Sequence, residues 1–100
     1  MTETCLRSRQ VVIIDPLGLH LRPAAKLVVL AQSFRSEIRV IAKGITANAK
    51  SLLDLATLAA ECGTTLDIVA HGADAHEAVT ALTDLIGAGF DGSVDRGVAA

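Results

Sequence analysis

Apolar positions along the chain recur with two different periods, and the two periods alternate. Strict alternation of apolar and polar residues indicates a strand, and apolar residues at i, i+3, i+4 and i+7 indicate a helix. Residues 10–15, QVVIID, form a short β-branched run and predict a well-buried strand. The predicted elements are strands over residues 10–15, 37–42, 45–49 and 64–70, and helices over residues 21–34, 52–60 and 75–87.

This order of elements predicts an α+β fold with two layers. Three helices cannot bury their apolar stripes on each other and leave four one-faced strands uncovered. Lys43-Gly44 is a tight turn, so its flanking strands pair as an antiparallel hairpin. We therefore expect an open-faced sandwich: a four-stranded, mainly antiparallel sheet covered on one face by three helices, in the order β-α-β-β-α-β-α. We assign residues 10–91 to this domain, and residues 1–9 and 92–100 to flexible tails.

Composition excludes several classes of function. Phe34 and Phe90 are the only aromatic residues among 100, and the formal net charge is −2 without a basic block. Stacked bases and a phosphate backbone are therefore unsuitable partners, so we expect no nucleic acid. No run reaches the about 18 apolar residues of a membrane span, and the first ten residues lack a signal-peptide pattern. We expect a cytoplasmic protein without membrane contact.

The metal-ligating residue types are too few and too scattered to form a site. Cys5 and Cys62 make neither a disulfide framework nor a zinc quartet, and are interpreted as free thiols. His71 and His76 match no zinc spacing, and are interpreted as solvated surface residues. The sequence therefore predicts neither a metal nor a cofactor.

The stretch LGLHLRPAA, residues 17–25, places a histidine at the predicted start of the first helix. His20 becomes the N-cap, and Pro23 fits the first turn, where no amide hydrogen is needed. The free N–H groups of Leu21, Arg22 and Ala24, together with the helix dipole, then form an anion site.

The same geometry suggests a nucleophile. The positive end of a helix disfavours an imidazolium, so we expect His20 to be neutral, and Arg22 adds a guanidinium suited to phosphate oxygens. This combination suits reversible phosphoryl transfer to nitrogen. From these residues alone, an ordinary loop histidine is the alternative.

Two motifs give this chain a resemblance to a known family. Residues 18–25, GLHLRPAA, resemble the motif G-[LM]-H-x-R-P-A of HPr, the histidine phosphocarrier family of the bacterial phosphoenolpyruvate-dependent phosphotransferase system. Residues 49–53, AKSLL, resemble the segment around a serine that some branches of the family phosphorylate for regulation. The spacing of the two motifs and the order of elements also agree, and the resemblance covers residues 10–90.

The resemblance implies a role for each matching residue. His20 would accept phosphate on Nδ1 from phosphorylated Enzyme I and pass it to an EIIA-type domain. Arg22 and the helix N-terminus would stabilise the phosphohistidine. The protein would be a monomeric carrier rather than a stand-alone enzyme, acting in sugar uptake or its regulation, with HPr kinase/phosphorylase as a further candidate partner.

The chain departs from the family pattern on the expected docking surface. Val29, Gln32 and Ile45 correspond to lysines of enterobacterial HPr, and Leu21 replaces a small residue. The predicted docking residues are therefore apolar: Leu21, Val29, Ile45, Leu52 and Leu53. The segment 88–91, AGFD, resembles the nitrogen-branch paralogue NPr.

Ser51 has two interpretations. The spacing Ser51-x-x-Asp54 predicts a helix cap, worth about 1 kcal/mol. The resemblance instead makes Ser51 a candidate for regulatory phosphorylation. The alternative function is thus a regulatory, NPr-like interaction module that acts by binding and by Ser51 phosphorylation rather than in sugar transport.

Overall fold

The computed structural model of the chain describes residues 5–90, in which strands and helices follow the predicted order. Of the predicted tails, residues 1–4 and 92–100 lie outside the described residues. The elements are β1 (Cys5–Val12), α1 (Leu21–Gln32), β2 (Glu37–Ala42), β3 (Ile45–Asn48), α2 (Leu52–Leu58), β4 (Thr65–Gly72) and α3 (Ala75–Gly87).

The strands form one antiparallel sheet in the order β1-β4-β2-β3. Val40 of β2 lies opposite Ile68 of β4, and both side chains are fully buried under the helices. Their neighbours in sequence, such as Arg39 and Asp67, point to the other face, because successive strand residues alternate. The predicted α+β open-faced sandwich is therefore confirmed.

The predicted apolar stripes of α1 and α3 face the sheet. In each helix, four apolar residues that recur with the helical period are buried, and Phe34, just beyond α1, is half-buried. The buried residues are Ala24, Leu27, Val28 and Ala31 in α1, and Ala78, Leu82, Leu85 and Ile86 in α3.

No helix within residues 5–90 is long and apolar enough to cross a membrane.

The predicted bounds and burial of the first strand are wrong. β1 begins at Cys5, within the segment predicted to be a tail, ends at Val12, and is largely exposed. The reason is its position at the edge of the sheet, where it pairs with β4 alone and can carry charged residues such as Arg7 and Arg9. Among residues 10–15, the segment predicted to be a buried strand, only Ile13 is fully buried, and it lies just after β1.

The hairpin turn and the end of α2 depend on left-handed backbone. Lys43 and Gly44 have φ values of 52° and 82°, as a two-residue turn between antiparallel strands requires. Helix α2 ends at Leu58, two residues before the predicted end, because Ala59 turns into the left-handed region at φ 50°. This early end directs the next residues toward the loop that precedes α1.

Asp74 connects the start of α3 to the loop between α1 and β2. The spacing of Asp74 and Glu77 is that of a capping box, but Asp74 makes no side-chain cap bond to its own helix. Its carboxylate accepts from the Ser36 hydroxyl at 2.6 Å, and from the Arg35 and Ser36 N–H groups at 2.9 Å each. These bonds, the Ser36 hydroxyl first, lower the pKa of Asp74 to about 2.

Replacement of Asp74 should therefore make stability depend on pH in a defined way. A lowered pKa contributes stability above the ordinary value of about 3.8, and this stability is lost as the pH falls toward 2. We expect Asp74→Asn to lower the free energy of unfolding by about 1–2 kcal/mol at pH 7. Urea unfolding at several pH values should show the difference shrinking between pH 4 and pH 2.

Glu77→Gln is the matched control, since Glu77 is an exposed acidic residue in the first turn of the same helix. It removes a charge of the same sign from the same helix end without removing a bond to the α1–β2 loop. Equal losses in the two variants would contradict the interpretation and assign the effect to the helix dipole.

Candidate functional site

The loop between β1 and α1 is a turn held by Asp15. The Asp15 carboxylate accepts from the Leu17 N–H, and the Asp15 carbonyl accepts from the Gly18 N–H, both at 2.9 Å. A short polar side chain that bonds the backbone two residues later is a common way to close such a turn. The turn reverses the chain just before His20.

The loop that follows α2 packs against this turn. The Leu19 N–H donates to the Ala60 carbonyl at 2.8 Å, and the Leu19 side chain is buried. Gly18 has φ +73°, and a Cβ at this position would lie 2.5 Å from the Ala60 oxygen. The two loops can approach this closely only because residue 18 has no side chain.

His20 is the N-cap of α1, as the sequence predicts. Its backbone is extended, with φ −82° and ψ −175°, and its side chain makes no cap hydrogen bond. The imidazole is 37% exposed. His20 therefore caps the helix through its backbone alone, and its ring is accessible from solvent.

The predicted set of free N–H groups is correct for two residues and wrong for the third. Within residues 5–90, the N–H groups of Leu21 and Arg22 have no acceptor, as expected for the first turn. The Ala24 N–H donates to the His20 carbonyl at 3.0 Å. With His20 as the cap, Ala24 is the first residue of the helical ladder and is not available to an anion.

His20 and Arg22 line the same open cavity, which has a volume of about 170 Å³. Three further lining residues are functional candidates that the sequence analysis missed: Asp15, Lys26 and Phe90. Lys26 lies one helical turn after Arg22, so its position on the same face of α1 could have indicated it. Phe90 comes from the far end of the chain, and no local pattern could have placed it there.

Lys26 and Phe90, which both line the cavity, are joined by a hydrogen bond. The Lys26 ammonium donates to the Phe90 carbonyl at 3.0 Å, and the Phe90 ring is buried. Asp15 lies beside His20, with 3.8 Å between Asp15 Oδ1 and His20 Nε2. The cavity thus contains an imidazole, two cationic side chains and one carboxylate, a set suited to a small anion held next to the ring.

Ser51 is not a lining residue of this cavity. Its hydroxyl caps α2 by accepting from the Asp54 N–H at 3.2 Å, which confirms the predicted cap. The Asp54 carboxylate accepts from the Asn48 N–H at 3.1 Å instead of returning to the Ser51 N–H. The capping box is therefore only half formed.

The predicted docking residues are all exposed apolar side chains. Their exposed fractions range from 38% for Leu52 to 76% for Leu53, and Leu17, which the sequence analysis did not single out, is 75% exposed. Leu17 and Leu21 flank His20 in the sequence. We call the following set the apolar surface: Leu17, Leu21, Val29, Ile45, Leu52 and Leu53.

Comparison with known proteins gives one consistent result. A sequence model described as "PTS HPr component phosphorylation site" matches residues 7–88. The phosphocarrier protein HPr of Haemophilus influenzae is 51% identical over 79 residues, which are 79% of this chain and 93% of the relative. The phosphocarrier protein NPr of Shewanella violacea is 41% identical over 83 residues, which are 83% and 91%.

The fold has close structural counterparts as well. The crystal structure of HPr from Thermoanaerobacter tengcongensis superposes with a TM-score of 0.81 at 37% identity. The superposition covers 84% of this chain and 94% of the HPr chain. Sequence and structure therefore indicate the same relatives over the same part of the chain.

Enlarging residue 18 should separate the two loops below His20. Gly18→Ala places a methyl group against the Ala60 carbonyl in a left-handed backbone, and we expect it to lower the free energy of unfolding by about 1–3 kcal/mol. Denaturant unfolding measures the loss, and the amide resonances of Leu19 and His20 should shift.

Gly63→Ala is the matched control, because Gly63 has φ +91° but open space around its Cα. It retains the backbone strain and omits the collision. A loss in Gly63→Ala as large as that in Gly18→Ala would show that close packing of the loops contributes nothing.

Proposed function

This chain belongs to the HPr family of phosphocarrier proteins of the phosphotransferase system, and from this membership we propose that His20 is the residue that carries the phosphoryl group. One observation carries the proposal: His20 caps α1 beside the unbonded N–H groups of Leu21 and Arg22, in a cavity that Arg22 also lines.

The proposed transfer is a simple exchange of one bond for another. The lone pair of His20 Nδ1 forms a bond to phosphorus as the bond from phosphorus to the donor breaks, and the donor retains that bonding pair. In the second transfer, the acceptor attacks phosphorus and Nδ1 recovers its pair. Splitting one transfer into two is the role of a covalent intermediate.

The surroundings suit an anion that must also leave. The Arg22 guanidinium and the two N–H groups offer charge-assisted hydrogen bonds to phosphoryl oxygens, and the helix dipole has the favourable sign. The cavity is open rather than enclosed, so a partner can reach the phosphorus atom. An open site of this kind suits a carrier better than a closed site that would retain phosphate.

The partners are part of the proposal. We propose that phosphorylated Enzyme I is the donor and an EIIA-type domain the acceptor, in the cytoplasm, with docking on the apolar surface. The similarity to both an HPr and an NPr is compatible with the sugar branch and with the nitrogen branch. The identity of the accepting EIIA protein distinguishes the two branches.

His20→Ala tests the proposal directly. Incubation of the full chain with phosphoenolpyruvate and Enzyme I should add ~80 Da as an acid-labile, alkali-stable adduct, because phosphate on nitrogen is lost in acid. His20→Ala should show no adduct by intact mass spectrometry. The matched control is His71→Ala, which removes an exposed histidine of β4 and should label fully. Labelling of His20→Ala would refute the proposal.

The second candidate function is regulation by phosphorylation of Ser51. The structure gives less support to this role than to the role of Ser51 as a helix cap. Its hydroxyl is half-buried and already accepts the Asp54 N–H, so its structural role is accounted for. The alternative module would act through phosphorylation of this hydroxyl by an HPr kinase/phosphorylase and through binding on the apolar surface. Negative charge there would repel acidic partners.

Ser51→Ala separates these roles. We expect it to lower the free energy of unfolding by about 1 kcal/mol, through loss of the cap, and to leave labelling of His20 unchanged. Ser51→Thr retains a capping hydroxyl and should remain nearly as stable as the parent chain. Incubation of the parent chain with ATP and the kinase, followed by peptide mapping, tests regulation. A phosphate found on Ser51 would show that the kinase modifies this hydroxyl and would support the regulatory candidate, and its absence would exclude that kinase.

A further inference from the structure

Asp15 lies on the Nε2 side of His20, opposite the atom that would carry phosphate. Its Oδ1 is 3.8 Å from Nε2, and the two side chains are 19% and 37% exposed. Within residues 5–90, Nε2 is the only titratable nitrogen that lies within 4.0 Å of this carboxylate. The other charged residues that line the cavity are Arg22 and Lys26, and both are cationic.

The turn alone does not require a charge at residue 15. Closure of the turn uses only Oδ1, as acceptor for the Leu17 N–H, and within the described part of the chain Oδ2 accepts no protein hydrogen bond. A neutral amide oxygen would close the same turn, since asparagine and aspartate both do so. The negative charge beside the imidazole is therefore unexplained by the backbone.

We propose that Asp15 is a positioning residue for His20, whose carboxylate keeps the ring proton on Nε2 and thereby leaves the Nδ1 lone pair available to phosphorus. The inference rests on the proposed function, in which Nδ1 is the phosphorylated atom. The position of the proton on a neutral imidazole is set by what the other nitrogen contacts, and a carboxylate favours an N–H next to it. Asp15 does not touch the phosphoryl group.

The same carboxylate stabilises the ring after transfer. When Nδ1 donates its pair to phosphorus, the ring becomes positively charged, and the charge is shared with Nε2–H. Asp15 attracts this positive charge, and Arg22 attracts the negative phosphoryl oxygens. Each of the two charges therefore lies next to a side chain of the opposite sign. On release, the pair returns to Nδ1 and the proton remains on Nε2, so no proton has to be supplied. A contact of 3.8 Å in the resting state can shorten as charge develops.

Asp15→Asn is the decisive variant because the amide can retain the Leu17 bond and lacks the charge. We expect the ratio of Nε2–H to Nδ1–H tautomer of neutral His20, read from ¹⁵N chemical shifts, to fall about fivefold. The single-turnover rate of phosphorylation by Enzyme I should fall by a similar factor, the size expected for the loss of one partly exposed contact to a charged group.

The matched control is Asp67→Asn. Asp67 carries the same charge on the open face of the sheet, and within residues 5–90 it makes no side-chain hydrogen bond or ion pair. It should match the parent chain in both measurements. A general effect of net charge on Enzyme I binding would appear equally in both variants and would overturn the inference.

The remaining outcomes are also decisive. An unchanged tautomer ratio in Asp15→Asn overturns the inference, and so does a changed ratio with an unaltered phosphorylation rate. If Asp15→Asn shifts the tautomer but the parent chain takes no phosphate on His20, the proposed function fails while the control of the ring proton by Asp15 stands. The two failures are therefore distinguishable.

Discussion

The hydrogen bond from the Leu19 N–H to the Ala60 carbonyl determines where the start of α1 lies, and with it the candidate site. It joins the loop before α1 to the loop after α2, two segments about forty residues apart in the sequence. It requires a left-handed Ala59, which ends α2 early, and a residue without a side chain at position 18. Since Leu19 is buried and immediately precedes the N-cap, this one contact fixes the backbone of His20 while leaving its side chain free.

The N-cap position serves three different purposes in this small fold. Ser51 uses its hydroxyl in the ordinary way, to satisfy an N–H of its own helix. Asp74 uses its carboxylate to hold the Arg35–Ser36 loop, and so contributes to the packing between elements. His20 makes no cap bond, and this leaves the first-turn N–H groups unsatisfied by the protein. An unsatisfied helix start costs stability and can hold an anion. The start of α3 also has no side-chain cap, so α1 is distinguished by the cavity that His20 and Arg22 line.

The sequence predicts what depends on neighbours in the chain and fails where distant segments meet. The stripes of α1 and α3, the hairpin turn at Lys43-Gly44 and the cap at His20 follow from local periodicity and backbone preference, and all were predicted correctly. The edge position of β1 depends on pairing with β4, which its residues do not encode, so its burial was predicted wrongly. Likewise, Phe90 lines the cavity only because α3 packs against the sheet. Asp15 could be identified as a candidate only in the structure, where the turn places it beside His20.

In the function that we propose, the cavity and the apolar surface would have different roles in recognition. Charge in the cavity favours the phosphoryl group, and apolar side chains such as Leu17 and Leu21 can exclude water from it when a partner docks, which strengthens electrostatic interactions inside. Complementary charge at an interface mainly accelerates encounter, whereas buried apolar contacts mainly slow dissociation. Because the proposed docking residues, among them Val29 and Ile45, are apolar rather than basic, we expect association to depend weakly on salt. Partner choice would then depend on the shape of an apolar contact, while the chemistry at His20 stays the same.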